Sequence, residues 1–126
     1  MKKKFYVNEE KKTIVCEFDR AEAARAIYND INKCYKTFGE TNCLSWWDFV
    51  LLIGAKIPSY VSDNNILNIP CKGTAKCWEG DEWDEEVGKK VAEQKALAAY
   101  YKARDKIFDA YINELTYLVD LIKWKK

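Results

Sequence analysis

Two short runs open the chain, 4–8 and 12–18, and both read as strands. Thr13, Val15 and Phe18 are good strand residues, and the polar stretch Asn8-Glu9-Glu10-Lys11-Lys12 between the runs suits a turn. The period then changes. Ala24, Ile27, Tyr28, Ile31, Cys34, Tyr35 and Phe38 recur at helical spacing, after Asp19 as N-cap and Glu22 as its capping-box partner, and Gly39 stands where a helix C-terminal glycine should. The spacing predicts a helix over 20–38. Ser45 and Asp48 form a second capping box, opening a shorter helix through Ala55. Trp46, Trp47, Phe49, Val50, Leu51, Leu52 and Ile53 make that helix apolar almost all round, so it must be buried or lie at an interface. Pro58 follows it. Residues 66–70 and 72–78 read as two further strands, divided around Pro70-Cys71.

The last third is the most informative. From Lys89 to Lys126 there is neither Gly nor Pro. Val87, Val91, Ala98, Tyr101, Phe108, Ile112, Leu115, Val119 and Ile122 fall on a 3–4 alternation, with Gln94 and Asp105 as polar intruders. A second stripe runs through Leu97, Tyr100, Ile107, Tyr111, Leu118 and Leu121. One helix over about 84–124 is roughly 60 Å long, while a domain of this size is only about 35–40 Å across. Either the helix breaks near Arg104-Asp105 or Asn113 and doubles back, or it packs against a second copy. Two stripes favour the second course, one for its own sheet and one for a partner. The expectation is a single-domain α+β fold: a small antiparallel sheet of about four strands, two N-terminal helices and one long C-terminal helix. Residues 1–83 hold the sheet and short helices, 84–125 the long helix, and the assembly is a homo-oligomer.

Composition narrows the chemistry. The chain has 126 residues, 21 basic and 20 acidic, for a net charge of +1, so nothing global favours nucleic acid or membrane. Histidine is absent, which removes the commonest general base, the commonest zinc ligand and every Ser-His or Cys-His nucleophile. The five cysteines include no C-x-x-C pair, and neither a phosphate-binding P-loop nor a G-x-G-x-x-G is present. No enzyme, metal or cofactor is expected. Met1-Lys2-Lys3-Lys4 leads into Phe5-Tyr6-Val7-Asn8-Glu9 rather than an apolar segment, so no secretory signal is expected. The longest apolar run, 49–53, is too short to span a bilayer. Reduced thiols in a cytosol are the expectation.

Three patches carry candidate binding chemistry. Six of the eight residues 79–86 are acidic. Carboxylates at a helix N-terminus complement its dipole, and Asp84 is a good N-cap. The same cluster offers Asp81, Glu82 and Glu85 as a negative surface that mimics phosphate for a partner protein. Lysines collect at both ends, Lys2 to Lys4 and Lys123, Lys125 and Lys126 around Trp124, and serve either phosphate contact or solubility. Within the long helix Lys95, Lys102, Arg104 and Lys106 alternate with Tyr100 and Tyr101. Trp83, Tyr100 and Tyr101 are candidates to stack on a base, and Lys102 and Arg104 to hold phosphate. An ordinary amphipathic face has the same composition. Trp46 and Trp47 read as core.

One further pattern is Gly73-x-Ala75-x-Cys77-x-x-x-Asp81-x-Trp83-Asp84-x-x-x-Gly88-x-x-x-Ala92. It resembles a stretch found in small proteins of phages and prophages of low-GC Gram-positive bacteria, as does the opening Phe5-Tyr6-Val7-Asn8 with Lys12-Thr13-Ile14-Val15-Cys16. Trp83 departs from the usual Phe, and Trp78-Glu79-Gly80 from the usual turn. The physical reading is a strand-to-helix corner. Gly73 permits close backbone approach, Ala75 and Cys77 are small inward residues, Asp84 caps, and Gly88 and Ala92 let the helix lie on the sheet. By architecture the chain resembles phage sponge proteins that sequester cyclic ADP-ribose-type signals of the Thoeris defence. That resemblance implies a counter-defence protein in the host cell cytosol, holding a small nucleotide-like signal between subunits. Phage CRISPR–Cas inhibitors are the competing resemblance. They imply a host defence nuclease as partner, met through the acidic surface.

Overall fold

The computed structural model describes residues 1–37, 45–62, 66–78 and 80–124, with side chains for 1–33, 45–62, 66–78 and 80–113. The expected helix end at Phe38–Gly39, Cys43, Glu79, Lys125 and Lys126 lie outside the described residues. The elements are β1 (Lys3–Asn8), β2 (Thr13–Phe18), α1 (Arg20–Thr37), α2 (Trp46–Lys56), a 3-10 turn (Pro58–Tyr60), β3 (Lys72–Lys76) and α3 (Glu85–Trp124).

The strands form one antiparallel sheet in the order β1-β2-β3. Register sets Phe5 opposite Cys16 and Cys16 opposite Gly73. Strand alternation then divides the faces. Ile14, Cys16, Phe18, Gly73 and Ala75 are buried, while Lys4, Tyr6 and Thr74 on the other face are exposed. Lysines on both outer strands, Lys3, Lys4, Lys72 and Lys76, blunt the open edges.

Helix α3 covers the inner face, and glycine decides how closely. A Cβ on Gly73 would stand 2.3 Å from Ala96 N and 2.4 Å from Ala92 O, so β3 runs against the helix backbone itself. A Cβ on Gly88 would meet Ile14 Cδ1 at 2.5 Å. The helix answers with a stripe of small and aromatic residues, Ala92, Ala96, Tyr100, Ala103, Ile107 and Tyr111, all buried. From α1, Ala23, Ala24, Ile27 and Ile31 join the same core, as do Phe49, Val50 and Ile53 from α2. Phe49 stacks on Tyr111, ring centroids 6.0 Å apart, and Tyr111 Oη donates to the Phe49 carbonyl at 3.3 Å.

The corner after β3 is built as its residues imply. Asp84 Oδ1 accepts from the backbone of Glu86 and Val87 at 3.1 and 3.2 Å. Cys77 is half-buried, with Sγ 3.6 Å from the Asp81 carbonyl oxygen.

Three expectations are corrected. The described residues hold three strands, not four, since 66–70 contributes only the bridge Val61–Leu67. Pro70 has no N–H to donate to a ladder, and Ile69 and Cys71 turn into the core instead. The long helix is continuous, as expected, running as 40 residues without the alternative break at Arg104-Asp105 or Asn113. Asp19 caps α1 by accepting from Ala21 and Glu22, but the Glu22 carboxylate accepts from Lys2 N at 2.7 Å instead of closing a capping box. Trp47 is not core: it is 56% exposed and Leu51 is 50% exposed, because α2 buries only the opposite face. Trp46 is half-buried, against Tyr28 and Phe49. No helix among the described residues is long and apolar enough to cross a membrane.

Candidate functional site

The Tyr100 and Tyr101 rings meet, with centroids 5.4 Å apart, but the sequence-predicted ligand residues do not gather into one site. Tyr100 is a core residue, 5% exposed, and burial pushes its phenol above the usual value, with the Asp30 charge adding to the effect. Arg104 Nε stands 3.4 Å from Asp30 Oδ2, an ion pair without hydrogen-bond alignment, and its guanidinium lies 5.1 Å from the Phe108 ring centre. Tyr101 and Lys102 sit on the solvent side of α3. Trp83 is half-buried against the core just before the helix, while Tyr101 lies about 24 Å along the axis from Glu85. Tyr100 is therefore withdrawn as a stacking residue and Arg104 is already engaged. The reason is geometric: neighbours in sequence on a helix point about 100° apart, so Tyr100 and Tyr101 serve different faces.

The acidic residues do share a surface. Asp81, Glu82, Asp84 and Glu86 are exposed around the head of α3. Asp84 is occupied as the cap, and Glu85 Oε2 lies 3.9 Å from Lys89 Nζ.

A groove opens elsewhere among the described residues. It lies where the start of β1, the end of β2, the head of α1, Trp46 and residues 62–68 meet, and its volume is about 810 Å³. That is within the range of small-ligand sites. Lys2, Lys4 and Tyr6 reach it because strand alternation places them on the sheet face that α3 leaves bare. Arg20 and Arg25 reach it from the first turns of α1.

Its charges are unequally employed. Arg20 Nε pairs with Glu17 Oε1 at 3.1 Å and its terminal nitrogen donates to Asn68 Oδ1 at 2.5 Å. Asp19 is spent on the α1 cap. Among the described residues, no carboxylate lies within ion-pair distance of the Lys2, Lys4 or Arg25 side chains. Arg25 instead lies over the Trp46 ring, 4.0 Å from its centre, and 5.9 Å from that of Tyr28. The groove thus presents two lysines and an arginine without carboxylate partners, the arginine resting on Trp46, beside the ring of Tyr6. Such a set pairs anionic oxygens and stacks planar rings. Lys2-x-Lys4-x-Tyr6 carried half of this signal in sequence. The other half, Arg25, Trp46 and Asn68, is joined only by folding.

Among the described residues, no three His, Cys, Asp or Glu side chains are grouped to hold a metal ion. No protein-family model matches the chain, and no curated protein or solved structure matches it significantly.

Proposed function

We propose that the protein is a non-enzymatic binding protein that takes a small anionic, ring-bearing ligand of the nucleotide class into the groove at the head of α1. One observation carries the reading: Arg25 stacks 4.0 Å from the Trp46 ring in a groove of about 810 Å³ that also holds Lys2 and Lys4 without carboxylate partners. Phosphate oxygens supply the missing anions. A base or ribose slots against Tyr6 or Trp46, where stacking contributes roughly 1–3 kcal/mol per base. The biological setting we attach to this is the one the phage-protein resemblance implies, sequestration of a nucleotide immune signal in the host cytosol. The test is a thermal-shift and heat-release screen with mononucleotides, cyclic nucleotides and ADP-ribose. Stabilisation and release of intact ligand are expected; hydrolysis of the ligand, or no response to any member, refutes the reading.

A second reading draws on the exposed Asp81 and Glu82 at the head of α3, a negative surface for a basic groove on a defence protein. Charge reversal at Asp81, Glu82 and Glu85 abolishes inhibition under that reading and leaves nucleotide binding unchanged.

A further inference from the structure

The stripe of α3 that lies largely outside the protein's own core is a heptad seam. Val87, Val91, Gln94, Ala98, Tyr101, Asp105, Phe108 and Ile112 follow one another at strict alternation of four and three. All are exposed except Phe108, which is half-buried; Val87, Tyr101 and Ile112 are 54%, 51% and 53% exposed. The seam runs for about 38 Å. It lies across the helix from the buried stripe of Ala92, Ala96, Tyr100, Ala103, Ile107 and Tyr111. A partner can therefore cover it and meets the core only at the half-buried Phe108. A sustained repeat of 3.5 is matched only by another helix that supercoils with it.

We infer that the occupant is a second copy of this chain, packed antiparallel with Asp105 in the same layer as the partner's Gln94. The polar intruders fix both direction and register. In a parallel, in-register pair Asp105 meets the partner's Asp105, and two like charges are desolvated together. In the antiparallel register two symmetry-related layers join Asp105 of one copy to Gln94 of the other, whose amide donates to the carboxylate. The neighbouring layers then fill by size: Ala98 with the partner's Tyr101, Val91 with the partner's Phe108, Val87 with the partner's Ile112. Sliding by one heptad either way sets Asp105 against the partner's Val87 or the partner's Tyr101, and Gln94 against the partner's Ala98 or the partner's Ile112. Each slip sets the Gln94 amide against an apolar residue, and the Val87 slip strands the Asp105 carboxylate as well, at roughly 1–3 kcal/mol per group. The chosen register also sets Tyr101 and Lys102 of both copies astride the two-fold axis. Those two sequence-predicted ligand residues thereby gain a shared surface that one copy lacks. The pairing does not depend on what the α1 groove binds.

The test is a mass by light scattering together with a photo-crosslink. Ile112 is replaced by p-benzoylphenylalanine, and the dimer band is mapped by mass spectrometry. A mass of twice 14.7 kDa is expected, with the crosslink on the partner's residues 84–91. Ile112→Lys, on an exposed position, is expected to raise the dimer dissociation constant at least tenfold with helix content unchanged. A monomer at tens of micromolar, any other mass, a crosslink at 108–116 or outside α3, or a dimer indifferent to Ile112→Lys overturns the inference.

Discussion

Gly73 of β3 lies directly against Ala96 of α3, so close that a Cβ would stand 2.3 Å from the Ala96 backbone nitrogen. Strand and helix touch backbone to backbone there, and neither can yield without moving its element. Gly73→Ala is expected to destabilise the fold by at least about 2 kcal/mol, at the upper end of overpacking costs. Gly88→Ala meets only the tip of the Ile14 side chain and gains about 1 kcal/mol of helix propensity. It should stay within about 1 kcal/mol of the parent. Urea denaturation separates the two; equal midpoints for both variants contradict the close approach.

The Phe49–Tyr111 contact ties α2 to α3. Tyr111→Phe keeps the stacked ring and loses one hydrogen bond to a backbone carbonyl, which costs about 1 kcal/mol. Tyr111→Ala opens a cavity in the core and is expected to cost about 3–5 kcal/mol, as for other buried aromatics. Calorimetric melts give both values, and a Tyr111→Ala variant as stable as Tyr111→Phe refutes the docking.

Alkaline pH probes the same core. Burial holds the Cys16 and Cys71 thiols above their ordinary 9.0, and the Tyr60 and Tyr100 phenols above 10.0. In each case the neutral form is favoured in the fold, so above these values the unfolded chain binds fewer protons. The contribution is fully present below pH 9 and declines as pH rises through 9 and then 10. Tm should fall from pH 9 to 11, and Tyr100→Phe should shallow the fall above pH 10. A Tm that climbs over that range runs against the assignment.

Much of this was readable in the chain, though not all. The helix from Asp19, the cap at Ser45 and the long last helix follow from local spacing and local hydrogen-bonding groups. Which apolar stripe of α3 faces the sheet did not follow. Val87, Val91 and Ile112 are more hydrophobic than Ala92, Ala96 and Ala103, yet the alanines are buried, because contact with Gly73 rewards small size. The 66–70 segment reads as a strand because Ile66, Leu67 and Ile69 are apolar; Leu67 and Ile69 face the core from a loop instead, and Ile66 is exposed. The groove was least legible, since Lys4, Arg25, Trp46 and Asn68 share no spacing that one element could express.

Arg25 is the residue on which the groove's chemistry turns. Arg25→Lys keeps the charge and loses the planar stack on Trp46, so a partial loss is expected, about three- to tenfold in affinity. Its effect on stability should be below about 1 kcal/mol, the size of an exposed cation–π contact. Competition binding against a fluorescent nucleotide reads the ordering wild type, Arg25→Lys, Arg25→Ala; an Arg25→Lys variant weaker than Arg25→Ala breaks it.

The most direct measurement is calorimetric titration of the wild type, Arg25→Ala, Lys4→Ala and Tyr101→Ala with ADP-ribose and cyclic nucleotides. Micromolar binding is predicted for the wild type and for Tyr101→Ala, at least tenfold weaker in Arg25→Ala and Lys4→Ala. Binding that survives in both groove variants and vanishes in Tyr101→Ala, or no heat from any ligand, contradicts the account.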